Sequence, residues 1–166
     1  MMRRATMTAA FLTALALPAA ADDDGLASFD VLTPDTALAL AEATLESCRA
    51  GGYQVAVAVL DRFGQTQVLL RDRFAGPHTI PTATAKAWTA VSFRGATQEL
   101  DTRIAGGELE ASIRDIPGAL FVGGGVPVMA AGSIVGGVGV SGAPGPSLDE
   151  DCAEAGIEAI SDVLDF

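Results

Sequence analysis

Between Gly118 and Gly145 the chain reads GALFVGGGVPVMAAGSIVGGVGVSGAPG, β-forming apolar residues interleaved with glycines at a density no ordinary loop needs. Glycine inside a strand gives up side-chain packing and backbone entropy. Repeated glycines therefore mark bulges, or places where another backbone or a flat ligand comes close. The segment reads as three strands separated by tight turns, and as a candidate binding surface. It is not a dinucleotide loop: Gly136, Gly137, Gly139 and Gly142 lie within a strand, and no helix opens until Ser147 to receive a pyrophosphate on its amides.

The flanking elements follow from their punctuation. Thr33-Pro34-Asp35 supplies a capping hydroxyl, a proline at the first helical position and an early acid, so a helix is expected over 34–50, ending at Gly51-Gly52. QVAVAVL (54–60) and QTQVLL (65–70) flank a turn at Gly64 and form a hairpin whose first strand, apolar on both faces, belongs inside a sheet. From Pro81 the pattern is helical, with Ala83, Ala87, Ala90 and Val91 on one face, and a second piece runs over 97–105. Ser147-x-x-Glu150 reads as a capping box opening a last helix to about Val163. The expected class is α+β: a central five-stranded antiparallel sheet, the N- and C-terminal helices on one face, and a helical insertion between strands 2 and 3.

The N-terminus has a basic start (Arg3, Arg4), an apolar run over Ala9–Leu17 and small residues ending at Ala21, the layout of a cleavable export signal. A periplasmic or secreted protein is expected, with 1–21 removed and 22–166 forming a single domain. No later segment is uniformly apolar enough to span a membrane. Without the signal the chain carries 8 basic against 21 acidic side chains, a net charge of −13. That balance repels nucleic acid and anionic lipid surfaces. Cys48 and Cys152 both fall on inward helix faces and are either a disulfide or two buried thiols.

Candidate chemistry is sparse. Serine sits in no nucleophile motif, and a lone histidine with two distant cysteines builds no zinc cage. His78, the sole histidine, lies in a loop before the alanine-rich helix; it is either a surface residue or an axial ligand to haem iron. Arg71, Arg73, Lys86 and Arg94 gather half of the basic residues near it, as a carboxylate-binding patch or as ordinary surface charge. Little acid–base machinery accompanies His78, so binding is favoured over turnover.

Four segments together carry a family resemblance: VAVAVLDRFGQ (55–65), AGPHTIPTATAKAWTAVSF (75–93), IPGALFVGGGVPV (116–128) and GSIVGGVGVSGAPGPSLDEDCAEAG (132–156). In this order and spacing the chain resembles the GlcG/HbpS-type haem-binding proteins, in particular the exported, HbpS-like members. The resemblance implies an antiparallel α+β fold, homo-oligomeric assembly and haem as cofactor. It also implies a haem storage, sensing or protective role. Family members ligate haem through histidine or threonine, so the implied binding residues are His78 as iron ligand, Thr79 beside it, and Lys86 and Arg94 as propionate partners. The alternative implied by relatives in glycolate-utilisation loci is an accessory or scaffold protein that binds a small organic acid or a partner protein. In that light the glycine ribbon reads more as the signature of the family's sheet than as the ligand surface.

Overall fold

A computed structural model of the chain describes residues 25–164; the expected export signal, 1–21, lies outside them. Helix α1 (Pro34–Ala50) starts as expected, with the Thr33 Oγ1 accepting from the Thr36 N–H at 3.2 Å. Strands β1 (Ala56–Asp61) and β2 (Thr66–Arg71) form the hairpin, closed by the Asp61 carboxylate accepting from the N–H groups of Phe63 and Gln65. Helix α2 (Thr79–Phe93) begins two residues ahead of Pro81, and α3 (Thr97–Ala105) follows. Strands β3 (Gly125–Ala130) and β4 (Ser133–Ser141) lead to α4 (Pro146–Ala159), after which the chain tightens into a 3₁₀ turn at Ser161–Val163. No helix among the described residues is long and apolar enough to cross a membrane.

The sheet has four strands in the order β2-β1-β4-β3, all antiparallel, not the expected five. The missing strand is the first third of the ribbon. Gly118 and Gly124 both take left-handed φ values (+86° and +112°), which no strand accommodates. Side chains claim much of this backbone in place of a ladder: the Leu120 N–H donates to Thr89 Oγ1, the Val122 carbonyl accepts from Thr97 Oγ1, and the Gly124 N–H donates to Glu150, while the Gly124 carbonyl rejoins the sheet by accepting from the Val140 N–H at 2.8 Å. Phe121 leaves the sheet to pack with Leu100 and Ile104 in a satellite cluster, edge-on to Phe93 at 4.9 Å.

Both faces of the sheet are covered. In β1, Val57 and Val59 point into the main core with Leu40, Ala41 and Leu45 of α1 and Ala153 of α4, while Ala56, Ala58 and Leu60 face Ala83 and Ala87 of α2. The terminal helices thus share one face, as expected, and Cys48 and Cys152 join them in a disulfide with Cα atoms 5.3 Å apart. Closing a loop of 104 residues contributes about 4–5 kcal/mol in the chain-entropy model.

On the other face, α2 lies against the glycines of β4. A Cβ at Gly139 would overlap the Ala83 carbonyl oxygen and stand 2.7 Å from the Ala87 nitrogen, and one at Gly137 would stand 2.6 Å from a Val91 methyl. Helix backbone meets strand backbone with nothing between. Gly139→Ala is therefore expected to cost about 1–3 kcal/mol as an overpacking change. Gly145→Ala, where φ is −147° and no atom lies within 4 Å of the added Cβ, should stay within about 0.5 kcal/mol of wild type. Urea unfolding of the two variants distinguishes them, and equal effects would contradict the close packing.

Candidate functional site

The loop from β2 to α2 is fixed from below. Asp72 is buried; its N–H donates to the Val55 carbonyl at 2.9 Å, and its Oδ1 accepts from Arg49 Nε at 3.0 Å and Nη2 at 2.6 Å. Arg71 Nη1 donates to the Ala75 carbonyl at 2.6 Å, which folds the first half of the seven-residue loop back on the end of β2. The hydroxyl and N–H of Thr79 both donate to the Gly76 carbonyl, at 2.7 and 3.0 Å. His78 occupies the position just before α2 and makes no capping bond. Its exposed ring turns the Nδ1–Cε1 edge toward Gly76: a Cβ there would stand 2.8 Å from Cε1 and 2.9 Å from Nδ1, and 3.9 Å from Nε2. Only glycine leaves room for the imidazole in this pose, and Nε2 is the nitrogen farther from the loop.

His78 stands at the edge of an open cavity of about 640 Å³, a size within the usual range of small-molecule sites. It is lined by Tyr53, Gln54, Phe74, Leu120 and Val122, and by the β4–α4 loop around Pro144. Phe74 is 78% exposed, an aromatic face with no protein neighbour sufficient to bury it. The guanidinium of Arg73 lies 5.5 Å from its ring centre.

The base of the cavity is polar and locked. Lys86 and Asp149, both nearly fully buried, meet at 2.7 Å between Nζ and Oδ2; Nζ also donates to the Val140 carbonyl at 3.0 Å. Asp149 Oδ1 accepts from the Ala143 N–H at 2.9 Å, which ties the β4–α4 loop to the pair. Burial pushes the Asp149 carboxyl above its ordinary range, and the hydrogen bond and charge of Lys86 only partly offset that. Glu150 sits beside it, its Oε2 accepting from the Gly124 N–H at 2.9 Å and the Gln98 N–H at 3.2 Å. Burial is the larger influence there too, and pushes this carboxyl up.

Of the expected site residues, the fold brings His78, Thr79 and Lys86 to one cavity. The Thr79 proton is committed to Gly76 and the Lys86 ammonium to Asp149 and Val140, so neither is a free arm toward a ligand. Arg94 does not line this cavity. It ends α2, fifteen residues after Thr79, about 22 Å along the helix axis, and faces a different cleft.

Residues 32–158 match the family described as "Haem degrading protein HbpS-like". The chain belongs to this HbpS-like family. The fold of HbpS superposes with a TM-score of 0.78 at 43% identity over 86% of this chain and 99% of that one, and a double mutant of Streptomyces reticuli HbpS gives 0.77 at 43% over 87% and 97%. A PduOC:heme complex is similar at 29% identity, TM-score 0.71, over 78% of this chain and 95% of that one. No curated protein matches the chain.

In this HbpS-like chain the sequence reading missed Asp149 as part of the site and Glu150 as the support beside it, because they fell inside an apparent capping box. The box is not formed: Gly145 precedes α4 and no side chain caps it. A signal was present. Asp149 shares its helix face with Cys152, Ala153 and Gly156, and Lys86 shares its own with Ala83, Ala87 and Ala90; each is buried with its neighbours. Opposite charges on two apolar faces mark a buried pair.

The raised carboxyls have a measurable consequence. A group that binds its proton more tightly when folded than when unfolded favours folding as pH falls through the interval between the two values. In wild type relative to Glu150→Gln, unfolding free energy is therefore expected to rise as pH falls from 7 toward about 4, where ordinary carboxyls titrate. Paired urea titrations read the difference; a pH-independent difference, or one of opposite sign, contradicts the burial.

Proposed function

We propose that this HbpS-like protein binds haem in the His78 cavity and acts outside the cytoplasm as a haem store, sensor or protective protein, without robust turnover. The observation that carries the reading is the pose of the sole histidine: an exposed imidazole lining the cavity, its Nδ1–Cε1 edge against Gly76 and Nε2 the nitrogen farther from it. Bound haem would supply an iron able to accept one axial nitrogen. The residues fit such a group. Phe74, Leu120, Val122 and Pro144 give flat apolar contact. Arg73, its guanidinium 5.5 Å from the ring centre of the cavity residue Phe74 and with no carboxylate partner among the described residues, suits a propionate better than the committed Lys86 or the distant Arg94. The locked Lys86–Asp149 pair holds the β4–α4 loop as a rigid wall and offers no free general acid or base, which supports binding over chemistry.

The same reading includes export and a single domain over 22–166. It rests on the basic, apolar and small-residue layout of 1–21 and agrees with a disulfide between Cys48 and Cys152, a bond that persists in oxidising compartments. Assembly into a homo-oligomer, implied by the family likeness, belongs to the reading as well.

Titration of the protein with haem is expected to give a saturable Soret band. His78→Ala should weaken binding and shift the band. Gly76→Ala, which leaves the imidazole present but displaces it, should shift the band in the same direction by a smaller amount. Absence of any saturable band removes the haem reading; bands identical to wild type in both variants remove His78 as ligand.

A further inference from the structure

The basic side chains fall into two groups. Among the described residues Arg49, Lys86, Arg103 and Arg114 each pair with a carboxylate, whereas Arg62, Arg71, Arg73 and Arg94 do not. In a chain this acidic, four cations without an acid are a selective arrangement. Arg71 and Arg73 lie at the start of the His78 loop. Arg62 and Arg94 come together elsewhere, in a cleft of about 240 Å³ at the far end of α2, between the β1–β2 turn and the β3–β4 turn. Ser133 contributes a hydroxyl to the same cleft, and Val91, Met129 and Ile134 form its apolar sides.

Arg62 is oriented by contacts of its side chain, and Arg94 by an unusual backbone conformation. Arg62 is oriented by donating Nη1 to the Asp30 carbonyl at 3.2 Å and by lying 4.4 Å over the Phe29 ring, which leaves its other N–H groups available. Its sequence neighbour Asp61 makes no ion pair with it; the Asp61 Oδ1 accepts from the Phe63 and Gln65 N–H groups. Arg94 takes the left-handed conformation (φ 57°, ψ 42°) at the end of α2, a position that glycine fills without strain, and the next residue is glycine. The α2 carbonyls favour a cation there, but they account neither for the strained backbone nor for the second guanidinium across the cleft. Non-glycine residues in such conformations cluster at binding sites.

We propose that this cleft binds a small doubly charged oxyanion, with Arg62 and Arg94 matching its two charges and Ser133 adding a hydrogen bond. The volume is below that of typical drug-sized sites and suits inorganic phosphate, a phosphate monoester or a short dicarboxylate. The site is independent of haem and lies at the opposite end of the helix that His78 precedes.

Thermal melting at constant ionic strength tests it, with chloride replaced stepwise by millimolar phosphate or malonate. Wild type is expected to show a saturable rise with at least one of the two anions, the tetrahedral and planar arms telling phosphate from carboxylate recognition. Arg94→Gly keeps the left-handed position and should melt higher than wild type without anion, yet bind the anion at least tenfold more weakly. Arg62→Gln should weaken it similarly, and the Soret titration of both variants should match wild type. No saturable rise in wild type beyond chloride, or an undiminished rise in both variants, overturns the proposal.

Discussion

The contact of α2 with the bare backbone of β4 governs the rest of the molecule. With Gly137 and Gly139 facing Ala83 and Ala87, the helix sits closer to the sheet than any side-chain layer would permit. Its height and direction are then set by backbone sterics, and so are its two ends. One end begins beside His78 and the 640 Å³ cavity; the other ends in Arg94 and the smaller cleft. The closeness also forces Lys86, on the buried side of the helix, to find its partner inside the protein, which it does in Asp149.

That buried pair is better understood as a fastening than as a source of stability. Two charges removed from water regain little net free energy when paired, whereas loss of either partner strands the other at a cost of about 3–5 kcal/mol. The pair joins α2, β4 and α4 at one point and, through Ala143, shapes the loop that closes the cavity. Glu150 does the same for the chain before β3 by accepting the N–H groups of Gln98 and Gly124. The walls of the cavity are therefore carried by side chains that never face the ligand space as free groups.

Much of this was legible in the sequence. Thr33-Pro34 announced α1, the two-faced apolar character of β1 placed it inside the sheet, and the inward faces of Cys48 and Cys152 allowed the disulfide that α1 and α4 make. The ribbon was misread where local pattern and tertiary contact diverge. Residues 118–124 look like a strand, but Thr89, Thr97 and Glu150, remote in sequence, claim its backbone groups, and glycines at positive φ turn it out of the sheet. His78, Thr79 and Lys86 line one cavity, and their hydrogen-bond commitments, with partners up to 63 residues away, are not visible in the local sequence. Arg94 was grouped with them because sequence proximity hides the length of a helix.

The central claim is that haem is held at the His78 end of α2. Because the chain has one histidine, and Met129 is the only methionine among the described residues and lines the far cleft, NMR of labelled protein tests the claim directly. Titration with diamagnetic gallium protoporphyrin should shift the His78 ring signals to saturation while the Met129 methyl stays in place. A Met129 methyl that shifts while the His78 ring does not would put the porphyrin at the wrong end of the helix and contradict the account.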